Sequence, residues 1–230
     1  MQDRRQTWYF VASESKLADV YNILHLPYTA MVLGFVLAGA AVAPQVHLDR
    51  LGGALLAYFV GLGVGAHALD QLEPGGSSYV EKLSRRELAA IASLGLGGAT
   101  VVGLYFALTV TGWLIPLIAA GLFFALAYPL PSRVGGGLFH NEVSFAFAWG
   151  FLPLVTSYVV DSVALTPVAI VSGIVAALTA AAEIRLSRRA RMARKEGLPA
   201  QEFERPERWL KILVASTCAV GLVLIAARLA

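Results

Sequence analysis

The chain has 230 residues, of which 57% are hydrophobic and 14% are charged, and its mean hydropathy is +0.68. A soluble domain typically has about a quarter of its residues charged, so this chain has too few charges to cover a water-facing surface. The composition therefore excludes a soluble globular protein and predicts that lipid is the main solvent. The formal net charge of +3 does not indicate nucleic acid as a partner, because the placement of the basic residues fits a membrane protein.

The N-terminal segment does not match a cleaved signal peptide. Residues 1–22 are polar and mixed in charge, without the order of charged and then apolar residues that such peptides have. We therefore expect the first hydrophobic segment to be retained. The single cysteine, Cys218, lies in an apolar run without a second thiol, which argues against a disulfide or a zinc site.

Apolar segments long enough to cross a bilayer recur along the chain. About 20 residues of helix span the roughly 30 Å hydrocarbon core. Seven segments qualify, namely Leu24–Val42, Leu51–Leu69, Leu88–Thr111, Trp113–Leu130, Val143–Val160, Ala164–Ala182 and Trp209–Ala227. Gly112 and Trp113 are nearly all that divides the third from the fourth, but one helix of that combined length would need extreme tilt. The sequence predicts an all-α, polytopic membrane helical bundle that forms one domain over residues 1–230.

The basic residues predict how this bundle is oriented. If the seven segments alternate in direction, 15 of the 18 basic residues fall on the N-terminal side, Arg50 and Arg228 fall on the other side, and Lys211 lies at the start of the last span. The 15 are Arg4, Arg5, Lys16, Lys82, Arg85, Arg86, Arg133, Arg185, Arg188, Arg189, Arg191, Arg194, Lys195, Arg205 and Arg208. Cytoplasmic loops carry an excess of Lys and Arg. We therefore predict a cytoplasmic N-terminus, a basic cytoplasmic loop over residues 184–208, and a multi-pass location in the cell membrane.

Acidic and histidine side chains gather at the end of the second predicted span. His67, Asp70 and Glu73 are spaced by three residues, which places them along one side of a helix end. Carboxylate oxygens are the ligands that Mg²⁺ prefers, so Asp70 and Glu73 are candidate metal ligands with His67 as a third ligand or an orienting partner. A solvated helix end and a structural hydrogen bond between His67 and Asp70 are the simpler alternatives.

Two other predicted helix ends lie on the same side of the membrane. His140 and Glu142 open the fifth span and are a candidate acid or base, or simply interfacial residues, of which Glu142 suits a helix N-terminus. Arg185, Arg188 and Arg189 follow the sixth span and form a candidate phosphate clamp, since guanidinium groups bind phosphate oxygens bidentately. The alternative is that these arginines set topology and anchor the chain to anionic lipid.

Small residues predict close contacts within the bundle. Gly61 and Gly65 form a G-x-x-x-G pair on the second span, and Gly95, Ala99 and Gly103 form a small-residue ladder on the third, so those two helices are expected to approach closely. Within the fifth span, Trp149 precedes Gly150 and Pro153. Proline frees a backbone carbonyl and glycine leaves room, which indicates a kinked helix beside a cavity, although packing alone is an alternative.

The arrangement over residues 20–225 resembles the UbiA superfamily of intramembrane prenyltransferases. The segment HALDQLEPG stands where that family has an aspartate-rich motif, with His67 and Asp70 at the first two aspartate positions and Glu73 one residue short of the third. The stretch AYPLPSRVGGGLFHNEVSFAFAWGFLPLVTSYVV is similar to the family's connection between its fourth and fifth helices. The second motif of the family is replaced by AAAEIRLSRRARMARKEG, in which arginines stand where carboxylates belong. Family members usually have nine helices, and seven are predicted here.

The resemblance implies a helical bundle with a cytoplasm-facing cavity that binds an isoprenyl diphosphate, or another lipid phosphate, through Mg²⁺ and transfers the isoprenyl group. Asp70, Glu73 and His67 would then be metal ligands, and His140 or Glu142 the acid or base. Arg185, Arg188, Arg189, Arg133 and Trp149 would bind the substrate. A non-catalytic lipid-binding or assembly subunit is the alternative, and a small transporter is a weaker one. Membrane lipids are expected partners, and a second copy or a partner subunit is expected to supply the missing helices.

Overall fold

The computed structural model of the protein describes residues 7–73 and 79–230, and within these ranges the chain is helical with no β-strand. The helices are α1 (Lys16–Ile23), α2 (Leu26–Val42), α3 (Leu48–Asp70), α4 (Arg85–Thr109), α5 (Leu114–Ala127), α6 (Glu142–Ser162), α7 (Pro167–Lys195) and α8 (Ala200–Leu229). The all-α prediction is confirmed for these residues. Arg4 and Arg5, which entered the charge argument, lie outside the described residues.

Five helices are long and apolar enough to cross a membrane, namely α3, α4, α6, α7 and α8. The count is six if α1 and α2 form one span, but the two are bent by 46° at the break between them. The predicted fourth span is the 14-residue helix α5, which is shorter than the roughly 20 residues a full crossing needs. By length and composition the chain thus has five or six candidate spans, as a multi-pass membrane protein does, and the predicted count of seven is not confirmed. The predicted division between the third and fourth segments corresponds to the break between α4 and α5.

The segment 184–208, predicted as a loop, is helical except at residues 196–199. Helix α7 continues to Lys195 because alanine, arginine, leucine and lysine are strong helix formers. It ends before Gly197, whose φ of +68° lies in the left-handed region that glycine adopts at helix ends. A bidentate ion pair between Arg194 and Glu207, with N–O distances of 2.7 and 2.9 Å, joins the two basic helices across the turn.

Helix α2 lies at the centre of the bundle. It packs against α8 on one side and α6 on the other, while α7 packs against both α6 and α8. The largest buried cluster joins α2, α3, α5, α6 and α7 through side chains such as Met31, Leu62, Tyr128, Trp149 and Ile184. The interior is therefore shared by five helices, and their ends meet at the site described below.

Helices α3 and α4 approach closely, as their glycines predict. A Cβ added at Gly95 would lie 2.6 Å from the Val60 carbonyl oxygen, and one added at Gly65 would lie 2.9 Å from the Leu96 nitrogen. Neither position has room for a side chain, because the neighbouring atoms belong to the backbone. The Gly95 end of the small-residue ladder therefore packs against α3, whereas Gly103 at its other end lies against α5.

We expect Gly95→Ala to destabilise the protein by about 1–3 kcal/mol, because the added methyl group would force the backbones of α3 and α4 apart. Gly98→Ala is the matched control, since a Cβ at Gly98 meets no atom within 4 Å. Thermal unfolding in detergent gives the Tm of both variants. An unchanged Tm for Gly95→Ala would show that the two helices are not held at this distance.

Two helices contain π-helical segments beside the interior. In α3 the segment is Phe59–Ala66, and in α6 it is Phe147–Phe151, followed by Pro153 in the next turn. A π segment leaves backbone groups wider apart than an α-helix does and often marks a functional region. The sequence predicted an irregular α6 from Gly150 and Pro153, whereas the π segment of α3 was not predicted.

Candidate functional site

A polar cavity of about 110 Å³ lies where the ends of five helices converge. The start of α2, the end of α3, the end of α5, the start of α6 and the end of α7 all contribute to it. We call this side of the bundle the basic end. The lining residues are His25, Tyr28, Ala66, His67, Asp70, Tyr128, Pro129, His140, Phe145, Trp149, Ile184, Arg188 and Arg191.

Five of the predicted site residues line this cavity: His67, Asp70, His140, Trp149 and Arg188. They come from three helices, the end of α3, the start of α6 and the end of α7, and the fold brings them together. Asp70 lies within electrostatic reach of His140 and of Arg191, a residue that had been assigned to a loop. The cavity thus combines one carboxylate with imidazole and guanidinium groups.

Two predicted acids, Glu73 and Glu142, do not line the cavity and make other contacts. Glu73 accepts a hydrogen bond from the Ser132 backbone N–H at 2.8 Å, which ties the end of α3 to the loop after α5. Glu142 forms an ion pair with Arg185 at 2.7 Å and a longer one with Arg188 at 3.8 Å. Both carboxylate oxygens of Glu142 thus lie next to arginines of α7.

Two predicted substrate-binding arginines face away from the polar cavity. Arg189 lines a separate surface cavity between α7 and α8, where it lies 4.0 Å from Glu202. Arg133 is exposed in the loop after α5. Consecutive residues of a helix point about 100° apart, and here Arg188 lines the polar cavity while Arg189 lines the surface cavity.

His25, Tyr28, Tyr128 and Arg191 line the cavity but were not among the predicted site residues. Arg191 was missed because the sixth span was expected to end at Ala182. A helix continuing through the arginines places Arg191 three residues after Arg188 and on the same face. His25 has a positive φ of 41° at the bend between α1 and α2, a backbone conformation that the sequence pattern did not indicate.

The three histidines of the cavity share one hydrogen-bond pattern. The Nδ1 atoms of His25, His67 and His140 lie 3.1, 3.3 and 2.8 Å from the backbone carbonyl oxygens of Ile23, Gly63 and Tyr128, respectively. A carbonyl oxygen can only accept a hydrogen bond, so each Nδ1 carries the proton. The hydrogen bond predicted between His67 and Asp70 is absent among the described residues, since the Nδ1 of His67 bonds within its own helix.

Aromatic side chains form the remaining walls. Tyr28 donates to the Ser187 hydroxyl at 2.5 Å, and Tyr128 accepts from Arg188 at 3.3 Å. Trp149 is buried and stacks on Phe145, with ring centroids 5.2 Å apart. Behind the cavity, Tyr9 packs against the His25 and Tyr28 rings, and burial raises the pKa of the Tyr9 phenol, so it is neutral at physiological pH.

A second cavity, of about 100 Å³ and mainly apolar, lies one helical turn farther from the basic end. In α3 its lining includes Leu62, one turn before the polar lining residue Ala66. In α5 and α6, Ala125 and Leu152 occupy the corresponding positions one turn away from Tyr128 and Trp149. The same three helices therefore line a polar cavity near the basic end and an apolar cavity deeper in the bundle.

The described residues do not form a metal site from three or more His, Cys, Asp or Glu side chains. Within residues 7–73 and 79–230, no three His, Cys, Asp or Glu side chains lie close enough to hold one ion. Glu183, at the place of the second family motif, is buried without lining the polar cavity, and its Oε1 has no hydrogen-bond partner among the described residues. The Mg²⁺ site stays a prediction.

No family model matches the sequence, and no curated protein or solved structure is significantly similar to it.

Proposed function

We propose that the protein binds an isoprenyl diphosphate, or another lipid phosphate, and acts as a UbiA-like membrane prenyltransferase. One observation supports the proposal: successive turns of α3, α5 and α6 line first a polar cavity with two arginines and then an apolar cavity. A lipid phosphate has the same two parts in the same order, a charged head and an apolar tail.

The polar cavity has the charge that a phosphate head requires. Arg188 and Arg191 project into it from successive turns of α7, and guanidinium groups remain charged at any physiological pH. Asp70 is the one carboxylate among the described residues that line it. Arginines close to the leaving diphosphate would stabilise the negative charge that grows on it as its bond to the isoprenyl carbon breaks.

The apolar cavity matches an isoprenyl tail by its lining. Its walls are aliphatic or small side chains, with Tyr58, Thr100 and Thr156 as exceptions. The hydroxyls of Tyr58 and Thr156 bond to each other at 2.8 Å, so they present little free polarity to a ligand. An apolar chamber next to the reacting carbon would also keep water from an allylic cation.

The proposal includes an orientation of the bundle in the membrane. The basic end carries the helix ends with Lys82, Arg85, Arg86 and the arginines of α7, and we place it on the cytoplasmic side of the cell membrane by the positive-inside rule. In this orientation the polar cavity opens toward the compartment that would supply a diphosphate. A Mg²⁺ ion bound to the diphosphate would lie next to the Asp70 carboxylate.

The test uses purified protein in lipid nanodiscs and Gly121→Leu. Gly121 lines the apolar cavity, and a Cβ added there meets no atom within 4 Å, so a leucine side chain has room to enter it. We expect Gly121→Leu to weaken binding of farnesyl diphosphate by about 10-fold, because the tail loses apolar contact area, while inorganic pyrophosphate binds as before.

Gly98→Leu is the matched control, because it adds the same side chain at an exposed position on α4 with no neighbour within 4 Å. An equal loss of affinity for farnesyl diphosphate in both variants would contradict the assignment of the apolar cavity to the isoprenyl tail. Failure of the wild-type protein to bind farnesyl diphosphate more tightly than farnesol would contradict the proposed function altogether.

Release of pyrophosphate distinguishes an enzyme from a non-catalytic lipid-binding subunit. A transferase releases pyrophosphate from farnesyl diphosphate when a cosubstrate and Mg²⁺ are supplied, whereas a non-catalytic lipid-binding subunit binds the same ligand without releasing pyrophosphate. Binding that stays intact without turnover would favour the subunit.

A further inference from the structure

The surface cavity between the end of α7 and the start of α8 has a volume of about 750 Å³ and lies at the basic end. Arg189 of α7 and Arg205 and Arg208 of α8 line it. None of these three arginines lines the polar cavity that we propose for the isoprenyl diphosphate. The surface cavity is therefore a separate basic site, which the proposed function does not use.

Two of the three arginines have no acidic partner. Arg205 and Arg208 are exposed, and neither forms an ion pair with an acid among the described residues. Arg189 lies 4.0 Å from Glu202, which is a long and exposed ion pair. Guanidinium groups bind phosphate oxygens bidentately, so these side chains are available to an anion from outside the chain.

The charges of the cavity are ordered along α8. Glu202 and Glu204 also line the cavity, but they precede Arg205 and Arg208 and so lie farther from the apolar part of the helix, which begins at Trp209. The rise of 1.5 Å per residue places Glu202 about 9 Å from Arg208 along the helix axis. The cavity is thus acidic toward its outer end and basic next to the apolar part of α8.

An apolar surface continues from the arginines toward the middle of the bundle. Leu186 and Trp209 line the same cavity, and tryptophan is typical of the headgroup level of a membrane. Arg205, Arg208 and Ile212 share one face of α8, because they are spaced by three and four residues. Trp209 and Ile212 are 54% and 47% exposed. A free phosphate would contact the arginines alone, whereas a phospholipid would contact both surfaces.

We infer that Arg189, Arg205 and Arg208 form a binding site for the headgroup of an anionic phospholipid from the surrounding bilayer. The phosphate accepts hydrogen bonds from the guanidinium groups, and an acyl chain lies along Trp209 and Ile212. A zwitterionic lipid has the same phosphate but also carries an ammonium group, which the arginines repel, so a net negative charge is preferred. The inference goes beyond the proposed function and does not depend on it.

The test measures lipid binding to the full-length protein in detergent by native mass spectrometry. The two probes are dioleoyl phosphatidylglycerol, which is anionic, and dioleoyl phosphatidylcholine, which is zwitterionic and has the same acyl chains. We expect the first phosphatidylglycerol to bind about 10-fold more tightly than the first phosphatidylcholine. Equal affinities would overturn the inference.

A double variant tests whether the surface cavity is the source of this preference. We expect Arg205→Gln with Arg208→Gln to reduce the preference for phosphatidylglycerol to about 2-fold. Arg86→Gln with Lys195→Gln is the matched control, because it removes two positive charges from exposed positions at the same end of the bundle, outside the cavity. An equal loss of preference in both double variants would show that overall charge attracts the lipid and would overturn the inference.

Glycerol 3-phosphate distinguishes a lipid from a free phosphate. It offers the phosphate and glycerol without acyl chains, so we expect no displacement of bound phosphatidylglycerol at an equal concentration. Displacement under these conditions would overturn the assignment of the site to a lipid.

Glu202→Gln changes the same site in the opposite direction. It removes the acid next to Arg189, so we expect the affinity for phosphatidylglycerol to rise by about 2-fold to 3-fold. An affinity equal to or below that of the wild type would place the headgroup away from Arg189 and overturn the three-arginine site.

Binding of farnesyl diphosphate to the same samples keeps the two proposals apart. We expect the variant with Arg205→Gln and Arg208→Gln to bind it as the wild type does, since neither residue lines the polar cavity. Loss of this binding would place the diphosphate in the surface cavity and overturn both assignments. A wild-type protein that prefers phosphatidylglycerol but does not bind farnesyl diphosphate would contradict the proposed function and support the lipid site.

Discussion

Arg188→Gln is expected to weaken binding of farnesyl diphosphate by about 10-fold to 100-fold, because a charge-assisted hydrogen bond contributes about 1.5–3 kcal/mol. Arg188 lines the polar cavity and contacts the Tyr128 hydroxyl within it. Arg191 lines the same cavity three residues later, so Arg191→Gln is expected to act in the same direction. Equilibrium binding in nanodiscs measures both.

The neighbouring arginines are matched controls on the same helix. Arg185 and Arg189 have side chains that are 70% and 73% exposed, and neither lines the polar cavity. Arg185 also forms the shorter ion pair with Glu142, so Arg185→Gln tests whether disturbing Glu142 affects binding. A loss in these variants as large as in Arg188→Gln would mean that the overall charge of the basic end, rather than the cavity, holds the ligand.

Asp19→Ala is expected to lower the free energy of unfolding by about 3 kcal/mol, because it removes the acceptor of three hydrogen bonds. Asp19 is fully buried, and its Oδ2 accepts from the backbone N–H groups of Lys82 and Leu83 at 2.6 and 2.9 Å. Its Oδ1 accepts from the Ser13 hydroxyl. One carboxylate thus joins the N-terminal segment, α1 and the loop before α4.

Asp19→Asn tests whether this effect comes from the hydrogen bonds. Its amide oxygen can still accept from Lys82 and Leu83 while the amide nitrogen faces Ser13, so we expect a loss of only about 1 kcal/mol. Asp49→Ala is a control for an exposed acid in the first turn of a helix, with an expected effect within about 0.5 kcal/mol. Circular dichroism in detergent, used to monitor unfolding, compares the stability of the three variants with that of the wild type. Equal stability of the Asp19 variants and wild type would show that the N-terminal segment is not held by this carboxylate.

The positions of the helices follow from sequence because lipid imposes a simple requirement. A spanning segment must be apolar and long enough to satisfy its own backbone hydrogen bonds, and both properties are local. The division between α4 and α5 was predictable for this reason. The close packing at Gly95 was predictable from the spacing of small residues along one helix. The predicted fourth span is not confirmed, because α5 has only 14 residues, and the predicted end of the sixth span at Ala182 was wrong, because α7 continues to Lys195. An arginine-rich helix that continues past the membrane has no hydrophobic signal to mark it.

The candidate site was predictable in part. Asp70, His67 and His140 attracted notice because polar groups next to apolar spans are costly and need a reason. Glu142 and Glu73 attracted notice for the same reason, yet the structure gives them Arg185 and the Ser132 N–H as partners. Residue type alone does not distinguish a group that lines a cavity from a group that is paired beside it.

The sequence by itself determined that this is a helical protein of the membrane, that its charges lie mostly at one end, and that its polar groups lie at helix ends. These properties depend on composition and on spacing along one helix. Only the tertiary structure decided that Arg188 and Arg191, but not Arg189, share a cavity with Asp70, and that His25 meets His67. These pairings depend on the rotation of each helix about its axis and on a left-handed residue at a bend, which packing between helices sets.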